Sequence, residues 1–413
     1  MGLTATASGV HVVGSGCGSG LGRHAPTLPE SGTGPAGTVR DSTTPVDLRV
    51  VTVLDADAAD LLGLAAALVG VASESHHEAE LATLVERRLE ARAPSLVIDR
   101  VGANVIARTQ LGRDRRVLLG GHLDTVPANG NAIPVIDGDV LHGLGSADMK
   151  GGLAVLLGLA ERLDARPADV LHDVTLVFYE CEEVADEFNG LRHVTAEQPT
   201  LLDADLAVLL EPTDCWVEAG CQGFLIVEAT FEGVRAHTAR PWMGANAIHA
   251  AAPVLARIAA HESATVEVDG LAYRESLQAV RVDGGWPGKR NVVPDQCTIV
   301  VNRRFAPCWS AAEAEAQVVE LLAGADAMRV TQAQPGALPN LNDPMVAGFV
   351  QGLELPVRPK LGWTDVARFA ARGIPALNFG PGDPAIAHNA DECVTRQSLE
   401  AADAVLSRFL GFG

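Results

Sequence analysis

The chain has few lysines and no long apolar run. Three of its 413 residues are Lys against 28 Arg, and the formal net charge is −21. This negative charge disfavours nucleic acid and anionic membrane surfaces as partners. No apolar run approaches the roughly 18 residues of a membrane-spanning helix. We therefore expect neither a nucleic-acid-binding nor a membrane protein.

Paired cysteines are also absent. The seven cysteines are scattered along the chain, and none forms a C-x-x-C motif. An odd number without pairing motifs is typical of reduced thiols, so the sequence predicts a cytoplasmic protein without a disulfide framework. Cys181 precedes Glu182, but the neighbouring carboxylates disfavour its thiolate, which favours a packing role over a nucleophilic one.

Residues 1–45 lack apolar periodicity and are rich in Gly, Ser, Thr and Pro. Their glycines do not complete G-x-G-x-x-G, no strand precedes them, and no apolar stretch of a signal peptide is present. This composition predicts a disordered N-terminal tail, or a start codon placed too early.

From residue 46 onward the pattern predicts an α/β protein of two domains. Helical and strand-like runs alternate over residues 46–222 and again over 336–413, which indicates a mostly parallel, helix-covered sheet. The intervening residues 223–335 follow the order βαββαβ of a ferredoxin-like unit. We predict a catalytic domain with this unit inserted into it.

Near the N-terminus of the first domain, the pattern predicts a helix over Asp55–Val69. Ser75 followed by Glu78 predicts a capping box for a second helix, Glu78–Ala91. His76 and His77 would then occupy its first turn at the surface.

Five short motifs contain residue types that bind metal ions. Four of them follow an apolar run, and the fifth precedes a helical run. These are His122 and Asp124 in GGHLDTVP, Asp148 in GSADMKGG, the pair Glu182–Glu183, Glu211 in LLEP, and His388 in HNADE. Sites in α/β sheets form outside the carboxyl ends of strands, so the motifs are expected to converge. Any one of these residues alone would more often be an exposed carboxylate or a hydrogen-bonded core histidine; the alignment of all five motifs favours a site.

The residue types favour a catalytic two-metal centre. Two histidines and three carboxylates without cysteine suit Zn²⁺ or a similar divalent ion, whereas structural zinc sites favour thiolates. One carboxylate can bridge two ions about 3.5–4 Å apart around a hydrolytic water. Asp124 is suited to orient His122, and Glu182, which is not needed as a ligand, is suited to act as the general base.

These motifs, in this order, resemble the zinc-dependent metallopeptidase family of aminoacylases, carboxypeptidases, acetylornithine deacetylases and succinyl-diaminopimelate desuccinylases. The resemblance spans about residue 46 to the C-terminus. It implies that one ion is held by His122, Asp148 and Glu211. It implies that the other is held by a bridging Asp148 with Glu183 and His388. The ions implied are two Zn²⁺ per chain, for which Co²⁺ can substitute.

Within this family, four stretches are most similar to the desuccinylases of high-GC bacteria: AHTARPWMGANAIH, RNVVPD, NRRFAP and HNADECV. The resemblance implies hydrolysis of N-succinyl-LL-2,6-diaminopimelate, a small N-acyl amino acid, to succinate and LL-2,6-diaminopimelate. An acetylornithine deacetylase, an aminoacylase or a dipeptidase of the same family is an alternative. A metal-binding scaffold without catalysis is a further alternative, against which the spare carboxylate of Glu182 argues.

The resemblance also implies functions for residues outside the ligand motifs. On sequence alone His237 lies in a polar loop, where a histidine is usually solvated. In relatives the matching histidine reaches the metal site of the partner subunit and donates to the developing oxyanion, which implies a homodimer. The stretches resembling substrate carboxylate sites contain Arg240, Asn291, Arg304 and Thr364. Taken singly, Arg304 could be a surface charge and Asn291 a turn cap.

Overall fold

The computed structural model describes residues 52–412, so the predicted tail, residues 1–45, lies outside the described part. Within these residues the helices are α1 (Leu61–Val69), α2 (Ala79–Arg92), α3 (Gly151–Ala165), α4 (Gly190–Glu197), α5 (Ala247–Ala259), α6 (Ala311–Leu321), α7 (Pro344–Val350), α8 (Val366–Ala371) and α9 (Arg396–Leu410). The strands are β1 (Val97–Val101), β2 (Asn104–Arg108), β3 (Arg116–His122), β4 (Val135–Asp137), β5 (Val140–His142), β6 (Asp173–Tyr179), β7 (Leu206–Leu209), β8 (Val217–Ala219), β9 (Gly223–Glu232), β10 (Ala236–His237), β11 (Thr265–Val268), β12 (Leu271–Arg274), β13 (Ser276–Gly284), β14 (Val292–Val293), β15 (Gln296–Phe305), β16 (Ala327–Gln334), β17 (Val357–Pro359), β18 (Ala376–Asn378) and β19 (Cys393–Thr395).

The largest sheet has eight strands in the order β1-β2-β6-β3-β7-β18-β8-β17. Its four central strands, β6, β3, β7 and β18, are parallel to one another. The margins are not uniformly parallel, because β1 pairs with β2, β2 with β6, and β18 with β8 in antiparallel fashion. The predicted α/β class is confirmed, and the sheet is mixed with a parallel centre.

Helices cover both faces of this sheet. Strand β3 is buried on both sides: Val117 and Leu119 pack in the core that holds α1, α2, α3 and α9, while Leu118 packs in the core that holds α4 and α8. A strand buried on both faces is apolar without alternation. This explains why the run Val117–Leu119 is continuously apolar.

The predicted capping box at Ser75 and Glu78 is wrong. Helix α2 begins at Ala79 without a side-chain cap, and His76 and His77 precede it. The Ser75 hydroxyl instead donates to the buried carboxylate of Asp124 at 2.7 Å, and hydrogen bonds to an ionised acceptor are stronger than those between neutral groups. The predicted helix over Asp55–Val69 is also shorter than expected, since α1 begins at Leu61.

A second, antiparallel sheet has the order β13-β15-β9-β16. With α5 and α6 packed on one face, this is the arrangement of a βαββαβ unit. The hairpin of β11 and β12 was not predicted, although its Asp269-Gly270 turn carries the usual hairpin signal. The division into residues 46–222 with 336–413 and residues 223–335 stays a prediction.

Two smaller features complete the fold. A turn at Asp137-Gly138 joins β4 and β5, which pair in antiparallel fashion, and β5 also pairs with β19. Among the helices of residues 52–412, none is both long and apolar enough to cross a membrane.

The four-stranded sheet offers a test of buried against exposed ion pairs. Arg303 and Glu275 pair at 2.6 Å with side chains 5% and 3% exposed. Arg303→Met should lower the free energy of unfolding by roughly 3–5 kcal/mol, because it leaves Glu275 buried and unpaired. Arg329 also pairs at 2.6 Å, with Glu228, but is 73% exposed, so Arg329→Met should cost only about 0–1 kcal/mol. Urea unfolding measures both, and equal losses would contradict the expectation.

Candidate metal centre

The four central parallel strands carry four of the predicted motifs. His122 is the last residue of β3, Glu182 and Glu183 follow β6, Glu211 follows β7, and the loop after β18 leads to His388. Because β6, β3, β7 and β18 are neighbours, their carboxyl ends lie along one edge of the sheet. The loops that follow them therefore converge on a common volume.

The fifth motif reaches this edge through the segment before α3. Met149 packs against β3, where its sulfur lies 3.2 Å from the backbone nitrogen of His122. The glycine at 121 leaves room for this approach, since a Cβ there would lie 2.5 Å from the terminal methyl carbon of Met149. The Asp148–Met149 peptide bond is cis. Asp148, the residue before Met149, lies beside His122.

One group of possible ligand atoms comprises His122, Asp148 and Glu211, all within 4.8 Å of one another. His122 Nε2 lies 3.0 Å from Asp148 Oδ1. Although burial opposes its protonation, hydrogen bonds with Asp124 and Asp148 raise the pKa of His122 well above its usual value. Burial raises the pKa of Glu211 to about 8, and His122 only partly offsets this.

A second group comprises Asp148, Glu183 and His388, with ligand atoms also within 4.8 Å. His388 Nε2 lies 2.7 Å from Glu183 Oε1 and 3.4 Å from Asp148 Oδ2. These two carboxylates raise the pKa of His388 to about 10. Asp148 is shared by both groups, with one oxygen towards each histidine. Although burial opposes ionisation, those histidines hold its pKa below its usual value.

Asp124 orients two parts of the site. Its backbone carbonyl lies 3.0 Å from His122 Nδ1 and its Oδ1 lies 3.4 Å away, so Nε2 of the ring faces Asp148. Its carboxylate also accepts hydrogen bonds from the backbone N–H groups of Glu182 and Glu183, at 2.9 and 3.0 Å. Asp124 therefore fixes the glutamate pair as well as the histidine ring.

Glu182 lies close to both His122 and Glu183, with potential ligand atoms within 4.8 Å. Burial raises the pKa of Glu182 well above its usual value, and the carboxylates of Glu211 and Asp365 raise it further. A carboxyl pKa raised by burial and neighbouring charge is typical of groups that transfer protons in active sites.

The donor set fits divalent cations. Glu211 Oε1 is buried and accepts no hydrogen bond from residues 52–412. A buried carboxylate oxygen without a donor is costly unless a cation or a proton compensates it. Within the described residues, no Arg or Lys forms an ion pair with Asp124, Asp148, Glu182, Glu183 or Glu211. The two histidines are their direct cationic partners, and Lys360 acts on Glu211 only beyond ion-pair distance.

A further group of possible ligands, Glu78, Glu180 and Cys181, lies beside the site. Its acceptors already have protein donors: Glu78 Oε1 accepts from the backbone of His76 and Cys181, and Glu180 Oε1 accepts from Asn104. Burial and the Glu78 carboxylate raise the pKa of Cys181 to about 12. The thiol is thus protonated and packed, in agreement with the sequence analysis.

A cavity of about 590 Å³ opens beside Glu182. Its lining includes Phe224 and Gln332 of the four-stranded sheet together with Val184, Arg192, Trp363 and Arg368. The cavity has the size of a small-molecule site and combines apolar surface with cationic groups.

The remaining predicted site residues lie elsewhere. His237 of β10 and Asn291 are adjacent, since the backbone N–H of Thr238 donates to the Asn291 carbonyl, and Arg240 closes the turn from His237. Both His237 and Arg240 are exposed. Among residues 52–412, no hydrogen bond or ion pair joins His237 to the ligand groups. Its action on a partner subunit stays a prediction.

Arg304 and Thr364 make internal contacts. The Arg304 guanidinium lies 5.0 Å from the centre of the Phe224 ring, on the sheet that borders the cavity. Thr364 is buried, and its hydroxyl hydrogen bonds with Asn378 of β18. Their substrate-binding roles also stay predictions.

The sequence analysis missed two residues that support the site. Ser75, which it assigned to a helix cap, donates to Asp124. Asp365 is fully buried, accepts from Asn189 and Arg368, and contributes to the raised pKa of Glu182. Asp365 directly follows Thr364, so its position next to a suspected site residue was the available signal.

Comparisons with known proteins agree with this geometry. The sequence profile of peptidase family M20/M25/M40 matches residues 118–411. A succinyl-diaminopimelate desuccinylase of Corynebacterium glutamicum is 44% identical over 362 residues, which cover 85% of this chain and 97% of the relative. A Mycobacterium tuberculosis protein that provisionally carries the same name is 49% identical over 353 residues, covering 85% and 98%.

Solved structures share the fold. Aminopeptidase PepT of Bacillus cereus superposes with a TM-score of 0.71 at 20% identity, covering 86% of this chain and 98% of that one. The YXEP protein of Bacillus subtilis, described as a dinuclear metal-binding peptidase of family M20, superposes with a TM-score of 0.63 at 17% identity, covering 86% and 98%. The profile match and the sequence relatives together show that the chain belongs to peptidase family M20/M25/M40 and is a metal-dependent hydrolase.

Proposed function

We propose that this protein hydrolyses N-succinyl-LL-2,6-diaminopimelate to succinate and LL-2,6-diaminopimelate, in diaminopimelate and lysine biosynthesis. The observation that carries the proposal is the convergence of two histidines and three carboxylates beside a further carboxylate, Glu182. The substrate comes from the names of the relatives at 44–49% identity. The cavity beside Glu182 supports a small-molecule substrate.

The proposed cofactor is a pair of divalent ions, Zn²⁺ or Co²⁺. His122, Asp148 and Glu211 hold one ion; Asp148, Glu183 and His388 hold the other. When bound, such a pair polarises the amide carbonyl and makes the attacking water more acidic. Imidazole and carboxylate ligands without thiolate suit Zn²⁺ in a catalytic site.

Glu182 is the proposed proton carrier. It accepts the proton of the attacking water and delivers it to the departing amine nitrogen. Its buried position among carboxylates favours keeping the proton between these two steps. Asp124 holds the Glu182 backbone and so keeps the carboxylate in reach.

A homodimer is proposed because, among residues 52–412, no hydrogen bond or ion pair joins His237 to the candidate ligands of its own chain. Edge strand β13 exposes Val280 and Val282, and the nearby start of α5 exposes Ile248. An unpaired edge with apolar neighbours suits pairing with a second copy. His237 of the partner subunit then donates to the oxyanion, and Arg240, Asn291, Arg304 and Thr364 bind substrate carboxylates.

The proposed location is the cytoplasm. The six cysteines of the described residues are free thiols. This usage is typical of a reducing compartment.

Metal binding should release protons. In the metal-free protein Glu211 and His388 have pKa values raised to about 8 and about 10. Both therefore hold protons at neutral pH that the ions must displace. Zn²⁺ affinity should therefore rise as the pH increases from 6 towards 9. In a separate activity assay, chelation should abolish activity until Zn²⁺ or Co²⁺ is restored. Calorimetry in two buffers of different ionisation enthalpy counts the protons. Equal affinity at every pH with no proton release would contradict this expectation.

Adjacent glutamates should respond differently to substitution. Glu182→Gln should keep two ions per chain and lose roughly 10²–10⁴-fold in turnover of the succinyl substrate. Glu183→Gln, the matched control, should lose affinity for one ion. Both are measured by elemental analysis and steady-state kinetics.

The same assay tests specificity. The wild type should turn over the succinyl substrate faster than acetylornithine, N-acetyl amino acids or dipeptides. Faster turnover of any of these would replace the proposed substrate. Near-normal turnover by Glu182→Gln would overturn the base assignment.

His237 should act between subunits. His237→Ala should fold, dimerise and bind metal, and lose about 10²–10³-fold in turnover through loss of an oxyanion donor. A mixed dimer with Glu182→Gln contains one site that combines an intact Glu182 with an intact His237. Activity should return to at most about half of wild type per mixed dimer, as expected for one intact site of two. If subunit exchange is demonstrated by mass spectrometry and activity stays absent, the assignment in trans is wrong.

A further inference from the structure

Glu392 joins two ligand-bearing segments that are distant in sequence. It follows His388 by four residues and is 1% exposed. Its Oε1 accepts hydrogen bonds from the backbone N–H groups of Ala147 and Asp148, and its Oε2 accepts one from Gly145, each at 3.0 Å. Both carboxylate oxygens are thus used to hold the turn that carries Asp148.

The backbone of the same residue strengthens this connection. The N–H of Gly143 donates to the Glu392 carbonyl at 3.1 Å, and the side chain of Asn131 donates to the Asn389 carbonyl. Gly145 has φ of 75°, a left-handed conformation that turns the following N–H groups towards the carboxylate. The segment before α3 and the segment after β18 therefore form one hydrogen-bonded unit.

We propose that Glu392 is a positioning residue of the metal centre, acting through the backbone of Asp148. This inference rests on the proposed function, since it concerns the same two ions. Asp148 is the ligand shared by both groups, with Oδ1 3.0 Å from His122 Nε2 and Oδ2 3.4 Å from His388 Nε2. Holding the Asp148 backbone in place keeps one carboxylate oxygen directed at each histidine. Removing the anchor weakens both sites together.

A general stabilising role is the alternative, and the chain contains a matched control. Asp173 is 5% exposed. It accepts from the backbone of Leu111 and Arg113 and from the Thr109 hydroxyl, at 2.8, 2.9 and 2.7 Å. It is likewise a buried carboxylate with three hydrogen-bond donors, and Arg116 lies 3.7 Å from its Oδ1. None of these partners is a candidate ligand residue. Loss of either carboxylate should lower stability; only loss of Glu392 should lower metal affinity.

The experiment compares wild type, Glu392→Gln and Asp173→Asn as full-length, metal-free proteins. In Glu392→Gln the amide NH₂ replaces one oxygen and leaves at least one backbone N–H without an acceptor. Zn²⁺ is titrated by calorimetry against a competing chelator, and the melting temperature of each metal-free protein is recorded. We expect Zn²⁺ affinity to fall about 10–100-fold in Glu392→Gln. Asp173→Asn should match wild type in affinity while losing melting temperature.

The outcomes separate the two hypotheses. If wild type binds no Zn²⁺, the proposed function fails together with this inference. If wild type binds two ions and Glu392→Gln binds them equally well, only the positioning role is overturned. Equal loss of affinity in both variants also overturns it, because a loss of stability then explains the effect. Should Glu392→Gln not fold, Glu392→Asp, which keeps the charge but is one methylene shorter, enters the same titration under the same criteria.

Discussion

The candidate site depends on one constraint, which is the negative charge that it buries at the edge of the large sheet. Five carboxylates, from Asp124, Asp148, Glu182, Glu183 and Glu211, surround two histidines, and within residues 52–412 no Arg or Lys pairs with them. Carboxylates this close cannot all ionise in a low-dielectric interior without cations. The directions of the pKa shifts express this, since Glu182 and Glu211 are shifted towards protonation and both histidines are shifted towards the charged form. In the metal-free chain, protons take the place that divalent ions would occupy.

Much of the site could be predicted from sequence because the fold delivers its ligands by a simple rule. Short apolar runs predict buried strands, and neighbouring parallel strands end at one edge of a sheet. His122 and Glu211 follow such runs directly, so their convergence needed no knowledge of long-range packing. The βαββαβ order of β9 to β16 was predicted for a similar reason, since each element carries its own periodicity.

The supporting contacts could not be predicted, because they depend on which distant groups become buried together. Ser75 matched a helix cap, yet the carboxylate that it meets, Asp124, is 49 residues away. The side-chain hydrogen bonds of Glu392 join residues that are 244 to 247 positions apart in the sequence. Local patterns also miss the antiparallel pairing at the sheet margins, where β2 pairs with β6, because periodicity does not encode strand direction. Sequence thus predicted which candidate ligands come together better than it predicted the contacts that hold them in place.

The arrangement separates metal binding from substrate recognition. Four of the five candidate ligands end or follow strands of a sheet packed on both faces. Asp124 holds the backbone of Glu183, and Glu392 holds that of Asp148. The cavity beside Glu182 is instead lined in part by β16 and Phe224 of the other sheet, whose edge and surface are free to vary without moving a ligand. A change at Gln332 or Phe224 alters the shape of the cavity and leaves the distances between the histidines and Asp148 intact. This separation gives a physical reason why one metal centre can serve hydrolases of different specificity, and why the metal motifs identify the family but do not by themselves identify the substrate.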